Sequence, residues 1–209
     1  YNVIHLDISS FWDDYKENLI EKIVEYIYDD IKETFGNVLD YKKKLSYVLM
    51  KIYKKTEIPF VIIIDEWDCV IRNSNDQNLI HNYLRFLHSL FKSEESKSFL
   101  ALGYITGILP IKKIEDESAL NNFQEYTMLN SYPITEYYGF TEKEVIDLCE
   151  DHAMDFETMK AWYNGYLIDG MHMYNPNSVS MAINYQDFDS YWRNTSAFGT
   201  INTFITMNY

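Results

Sequence analysis

Cysteine is nearly absent from this chain: Cys69 and Cys149 stand eighty positions apart, a separation that gives no disulfide framework and no metal spacing. The five histidines form no HExxH pair, which argues against a zinc site. Glycine is also scarce, and none of the seven (Gly36, Gly103, Gly107, Gly139, Gly165, Gly170, Gly199) precedes a lysine. The GxxxxGK[ST] loop, whose backbone N–H groups and Lys grip phosphates, is therefore not written in these residues. There is no GxSxG elbow, no Cys with an evident His partner, and no D…(D/E)xK cluster on a plausible strand, so hydrolase triads and nuclease chemistry gain no support. Positive charge is short as well. Eighteen Lys and Arg face 32 Asp and Glu, a net of −14, and an acidic surface repels nucleic-acid phosphates. No apolar run approaches the ~18 residues of a membrane span, and no signal-peptide pattern occurs. The setting expected is reducing and cytoplasmic, with no membrane and no nucleic acid bound through this region.

What is present is a 47% apolar chain, enough for a sizeable core, with 19 tyrosines carrying most of its aromatic content. The one basic stretch, Asp40 to Lys55, holds Lys42, Lys43, Lys44, Lys51, Lys54 and Lys55. A solvated helix face is the simpler reading of it, and a contact surface for an acidic partner or a nucleic acid the sharper one.

Residues 1 to 8 alternate as a strand, and a core strand at the first residue points to a longer natural protein. Ser9 or Ser10 is the expected N-cap of the following helix, with Asp13 at the capping-box position. Leu19, Ile20, Ile23, Val24, Ile27 and Ile31 keep helical spacing until Gly36 stops it. A second helix is expected from about Asp40 to Lys55. The unbroken β-branched run before Asp65 predicts a strand buried on both faces of a parallel sheet. A helix carrying Leu79, Tyr83, Leu84, Leu87 and Phe91 follows, then a buried strand over Ser98 to Thr106. Strands alternating with helices predict an α/β doubly wound sheet flanked by helices.

After Pro110 the pattern breaks. Residues 111 to 131 read as a polar connection, and a short strand near Tyr132 to Tyr138 is expected to close the sheet. From residue 141 the chain turns helical and acidic, with Thr141 and Glu144 as a capping box. A hairpin turning at Asp169-Gly170 and a helix opened by Asn175-Pro176 follow. The organisation expected is an α/β core over 1–140 and a mostly helical region with a small hairpin over 141–209.

The chemistry concentrates at Ile62-Ile63-Ile64-Asp65-Glu66. A buried strand of this kind delivers acids to the carboxyl edge of a parallel sheet, where the first can hold Mg²⁺ through its water and the second can polarise an attacking water. Asp65 and Glu66 fit those roles in that order. A buried strand can equally end in acids simply because it meets solvent. Thr106, at the end of the next strand, would sit beside them as a phosphate-sensing hydroxyl, or would be only a Thr before the turn at Gly107. Asp13-Asp14, Asp29-Asp30 and Glu94-Glu95 read as solvated positions, and no arginine finger is assigned among Arg72, Arg85 and Arg193.

Several segments together resemble one family, the predicted AAA-ATPase-like proteins of bacteria, related to STAND-type P-loop NTPases. They are VIHLDIS (3–9), FVIIIDEWD (60–68), ALGYITGIL (101–109), LNN (120–122), YGFTEKEV (138–145), WYNGY (162–166), MYNPNSV (173–179) and YWRNTS (191–196). The resemblance implies a P-loop NTPase-like fold with a helical lid and a Walker A loop upstream. It also implies, often, a PD-(D/E)XK nuclease-like domain beyond. By resemblance Asp65 is the Walker B acid and binds cofactor and Mg²⁺ through water, Glu66 is the catalytic Glu, and Thr106 is the sensor. ATP and Mg²⁺ are implied for the complete protein and neither for these residues alone, while self-association or a protein partner is the contact expected. The competing expectation is a non-catalytic interaction module that keeps the NTPase fold.

Overall fold

The computed structural model describes residues 1–36, 43–111 and 120–191. The chain divides into two compact units, residues 1–125 and 126–209.

The first unit is α/β, built on a three-stranded parallel sheet flanked by helices. Strands β1 (Asn2–Asp7), β2 (Phe60–Asp65) and β3 (Leu100–Ile105) lie in the order β1-β2-β3. Helices α1 (Ile8–Tyr15), α2 (Leu19–Phe35), α3 (Leu45–Thr56), α4 (Cys69–Asn73), α5 (Gln77–Phe91) and α6 (Ser96–Phe99) connect them. The register aligns Leu6, Ile64 and Ile105 on one sheet face. That face meets the core, where Leu6, Ile62 and Ile64 are almost fully buried beside Ile23, Leu49, Tyr83 and Leu87. Each such aliphatic side chain contributes about 1.5–3 kcal/mol by leaving water.

The opposite face departs from the expectation of burial on both sides. Register places Val3, Val61 and Leu102 together there, and His5, Ile63 and Tyr104 together one step along. Val3 is 61% exposed, Leu102 54% and Tyr104 51%, while Val61 and Ile63 are half-buried. The sheet is thus buried on one face, and β3 is a half-open edge strand rather than a buried one. An apolar run fixes that a strand forms, but the number of layers packed on it decides how much of that strand is covered.

Other expectations are corrected locally. The N-cap of α1 is Asp7, whose carboxylate accepts from the backbone N–H of Ser9 at 2.9 Å and of Ser10 at 3.4 Å. An ionised Oδ at the strand exit is a stronger acceptor than the serine hydroxyls, which instead donate to it. The helix expected from Asp40 begins at Leu45, and residues 40–42 lie outside the described residues. Lys54 and Lys55 occupy its last turn, where cations favour the C-terminal end of the helix dipole. Gly36 ends α2 at φ +72°, a conformation glycine adopts without cost.

The second unit holds helices α7 (Glu142–Asp151), α8 (Phe156–Tyr163) and α9 (Pro176–Tyr185). They accompany an antiparallel sheet in the order β4 (Phe140–Thr141), β6 (Met171–Tyr174), β5 (Asn164–Ile168). Thr141 and Glu144 form a reciprocal capping box. The hairpin β5–β6 turns at Asp169 and Gly170, both at positive φ. The strand expected near Tyr132 to Tyr138 is instead a turn and a 3-10 helix over Thr135–Tyr137. Pro133 has no N–H to give a ladder, and the buried Ser131 and Thr135 hydroxyls bond Asp169 rather than extending a sheet.

Candidate functional site

The carboxyl edge of the parallel sheet gathers the residues of interest. Asp7 and Asp65 are register partners at the ends of β1 and β2. Beyond β3 the ladder continues, since the Thr106 N–H donates to the Ile64 carbonyl and the Trp67 N–H to the Thr106 carbonyl, both at 2.9 Å. Those two bonds fix Thr106 against the end of β2, and its hydroxyl donates to Asp65 Oδ1. The same oxygen accepts the Glu66 N–H at 3.0 Å. Asp65 is exposed, so its carboxylate lies at the edge open to solvent.

Glu66 turns out of the strand at φ +52°, in the left-handed region that side-chain-bearing residues seldom enter. Lys16, Glu57, Ala153 and Gln186 do so at helix ends and Asp169 in a hairpin turn, whereas Glu66 does so directly after a strand. Its carbonyl accepts the Cys69 N–H at 2.9 Å, and its carboxylate is bound by the Arg72 guanidinium. Glu66 and Thr106 therefore do not share a bond. Thr106 is joined to Asp65, and Glu66 to Arg72.

Behind these lies Asp68, fully buried. Its Oδ2 accepts from Arg72 Nε at 2.9 Å, from the Ile108 N–H at 3.1 Å and from the Leu109 N–H at 2.7 Å. Asp68 thus ties the segment after β3 to the loop after β2. Trp67 is 2% exposed, and Tyr83 donates its hydroxyl to the Trp67 carbonyl at 2.8 Å. Gly107 passes so close that a Cβ there would stand 2.6 Å from Asp68 Oδ1 and 2.6 Å from Trp67 Cδ1. Only a residue without a side chain fits. Sequence reasoning singled out neither Asp7 nor Asp68. The signals available were an acid enclosed by Trp67, Cys69 and Val70, and an Asp-to-Arg pair at helical spacing i, i+4.

Burial pushes the Cys69 thiol up, and the Cys149 thiol likewise, which leaves both as packing residues rather than nucleophiles. Among the described residues no group of three or more His, Cys, Asp or Glu side chains could hold a metal ion. An all-protein cage is therefore not built among the described residues. A single exposed carboxylate with a neighbouring hydroxyl does fit Mg²⁺, which keeps most of its water and takes one or two carboxylates. Of the remaining named residues, Asp13, Asp14, Asp29, Asp30 and Glu94 are exposed, and Arg193 lies outside the described residues. No helix among the described residues is long and apolar enough to cross a membrane.

Comparison with known proteins adds two findings. A family model described as "Predicted AAA-ATPase" matches residues 1–115. A protein of Azotobacter chroococcum mcd 1, described as an uncharacterized protein in the vnfD 5' region, is 27% identical over 139 residues, or 65% of this chain. The match covers 27% of that relative, so the chain spans about a quarter of its length.

Proposed function

The chain belongs to the predicted AAA-ATPase family, and from that premise we propose that it carries the Walker B and sensor elements of a P-loop-type ATPase. The observation carrying the proposal is the bond from Thr106 to Asp65 across neighbouring parallel strands, at the edge where the strands point their carboxyl ends. Asp65 would hold Mg²⁺ through its water, neutralising charge on a bound triphosphate. Glu66 would take the proton of the attacking water, and Thr106 keeps Asp65 oriented while offering its lone pairs to the nucleophile side. The phosphate cradle is supplied by residues outside these 209. Two facts support that reading: none of the seven glycines precedes a lysine, and the chain spans only 27% of its relative's length. The second unit would act as a lid, in a STAND-type cytoplasmic protein that works with a protein partner or a second copy of itself.

The test is Glu66→Gln in the complete gene product. ATP binding is retained, while turnover falls by roughly 10²–10⁴, the usual worth of a positioned general base. Turnover equal to wild type would remove Glu66 from this role. One observation favours a second reading, a non-catalytic module: the Glu66 carboxylate is already engaged by Arg72. Absence of turnover in the wild-type complete protein, with ATP still bound, would select it.

A further inference from the structure

Arg72 spans two carboxylates with one guanidinium. Its Nε is pinned to the buried Asp68 at 2.9 Å, and its Nη2 binds Glu66. Because the guanidinium is a rigid planar fork, pinning Nε fixes where Nη2 can reach. Asp68 in turn is set by the Ile108 and Leu109 N–H groups, directly downstream of Thr106. A continuous chain of bonds therefore runs from residues 108–109 through Asp68 and Arg72 to the Glu66 carboxylate.

We propose that Arg72 is a positioning residue that holds Glu66 withdrawn from the nucleophile and makes its release depend on the position of residues 107–109. The proposal rests on the reading of Glu66 as general base. The guanidinium occupies Glu66 Oε2 and holds the carboxylate toward Arg72, so a water must compete with it for that oxygen. The two ends of the latch differ in strength. Asp68 has no side-chain exposure, whereas the Glu66 side chain is 38% exposed and Arg72 27%. A partly exposed pair is weak and easily exchanged, so the Glu66 end opens while the Asp68 end stays fixed. A small displacement of the segment after Thr106 carries Asp68 and the guanidinium with it, and the contact to Glu66 is the one that yields.

Steady-state ATP hydrolysis by the complete gene product tests this with four proteins: wild type, Arg72→Lys, the double variant Asp68→Asn/Arg72→Met, and Glu66→Gln. The double variant removes the latch without leaving a buried charge unpaired, and thermal unfolding checks that each protein folds. Its kcat rises roughly two- to fivefold with KM unchanged, the factor a partly exposed ion pair is worth. Arg72→Lys, which reaches one carboxylate at a time, rises by less. If the double variant does not fold, the lysine variant decides alone. An unchanged or lowered kcat in folded protein overturns the latch. Full turnover by Glu66→Gln would overturn the general-base reading beneath it. Loss of turnover there, together with no rise in the Arg72 variants, overturns the latch alone. No hydrolysis by wild type overturns both.

Discussion

Replacing Asp68 by alanine tests whether one buried carboxylate joins the two loops at the sheet edge. Asp68 Oδ2 accepts three bonds, from Arg72 Nε, Ile108 N–H and Leu109 N–H. Hydrogen bonds to a charged group contribute about 1.5–3 kcal/mol each, for a gross loss of roughly 5–9 kcal/mol. Two effects offset most of this. Burying the carboxylate costs several kcal/mol, and Oδ1 gains nothing back because it has no partner. Arg72 and Ile108 also regain water after the substitution, since the Arg72 side chain is 27% exposed and Ile108 is 65% exposed. The net expected loss for Asp68→Ala is about 2–4 kcal/mol. Asp68→Asn keeps an acceptor for the two amides and loses about half as much. With a urea slope of about 1–3 kcal/mol/M, Asp68→Ala lowers the unfolding midpoint by roughly 1–2 M. The readout is the fluorescence of Trp67, which is 2% exposed and adjacent to the site, in a background where Trp12, Trp162 and Trp192 are replaced by Phe. A midpoint shift for alanine below about 0.3 M, or an asparagine variant as damaged as the alanine one, would show that Asp68 does not join the two loops.

Gly107→Ala places a methyl 2.6 Å from both Asp68 Oδ1 and Trp67 Cδ1. It costs about 1–3 kcal/mol by overpacking, and an unchanged urea midpoint would show that the segment simply moves aside. Asp7→Ala removes the cap of α1 and costs about 1 kcal/mol at neutral pH. The Ser9 hydroxyl bond above all holds the Asp7 carboxyl below its ordinary range. That contribution is therefore complete above about pH 4 and is lost as pH falls through the depressed value. The stability gap between wild type and variant should narrow in acid, and a gap that widens there contradicts the assignment.

The sheet was legible because its signal is local. Ile62, Ile63 and Ile64 are β-branched and lie in a short run bounded by Pro59 and Asp65, which favours a strand, and the helical spacing in α2 and α5 placed the connections. The approach of Thr106 to Asp65 followed from the same order of elements. What the residues did not disclose was competition among neighbours. Asp7, Ser9 and Ser10 all suit an N-cap, and only the position of the strand end decided for Asp7. Leu102 and Tyr104 look as apolar as Ile62 and Ile64, yet they differ in what packs above them. Asp68 read as one more acid after Glu66. Its burial is set by Trp67, Gly107 and the 108–109 amides meeting in space, a juxtaposition that spacing along the chain does not encode.

With Glu66 as the proposed general base, its left-handed backbone would set stability against chemistry at a single codon. Holding a side-chain-bearing residue there costs about 1–2 kcal/mol that Gly, and in part Asn, would return. A laboratory selection for heat tolerance alone would drift toward those replacements and discard the carboxylate. Sturdier descendants of this protein should therefore be checked for turnover as well as for melting temperature, since position 66 is where the two are expected to part.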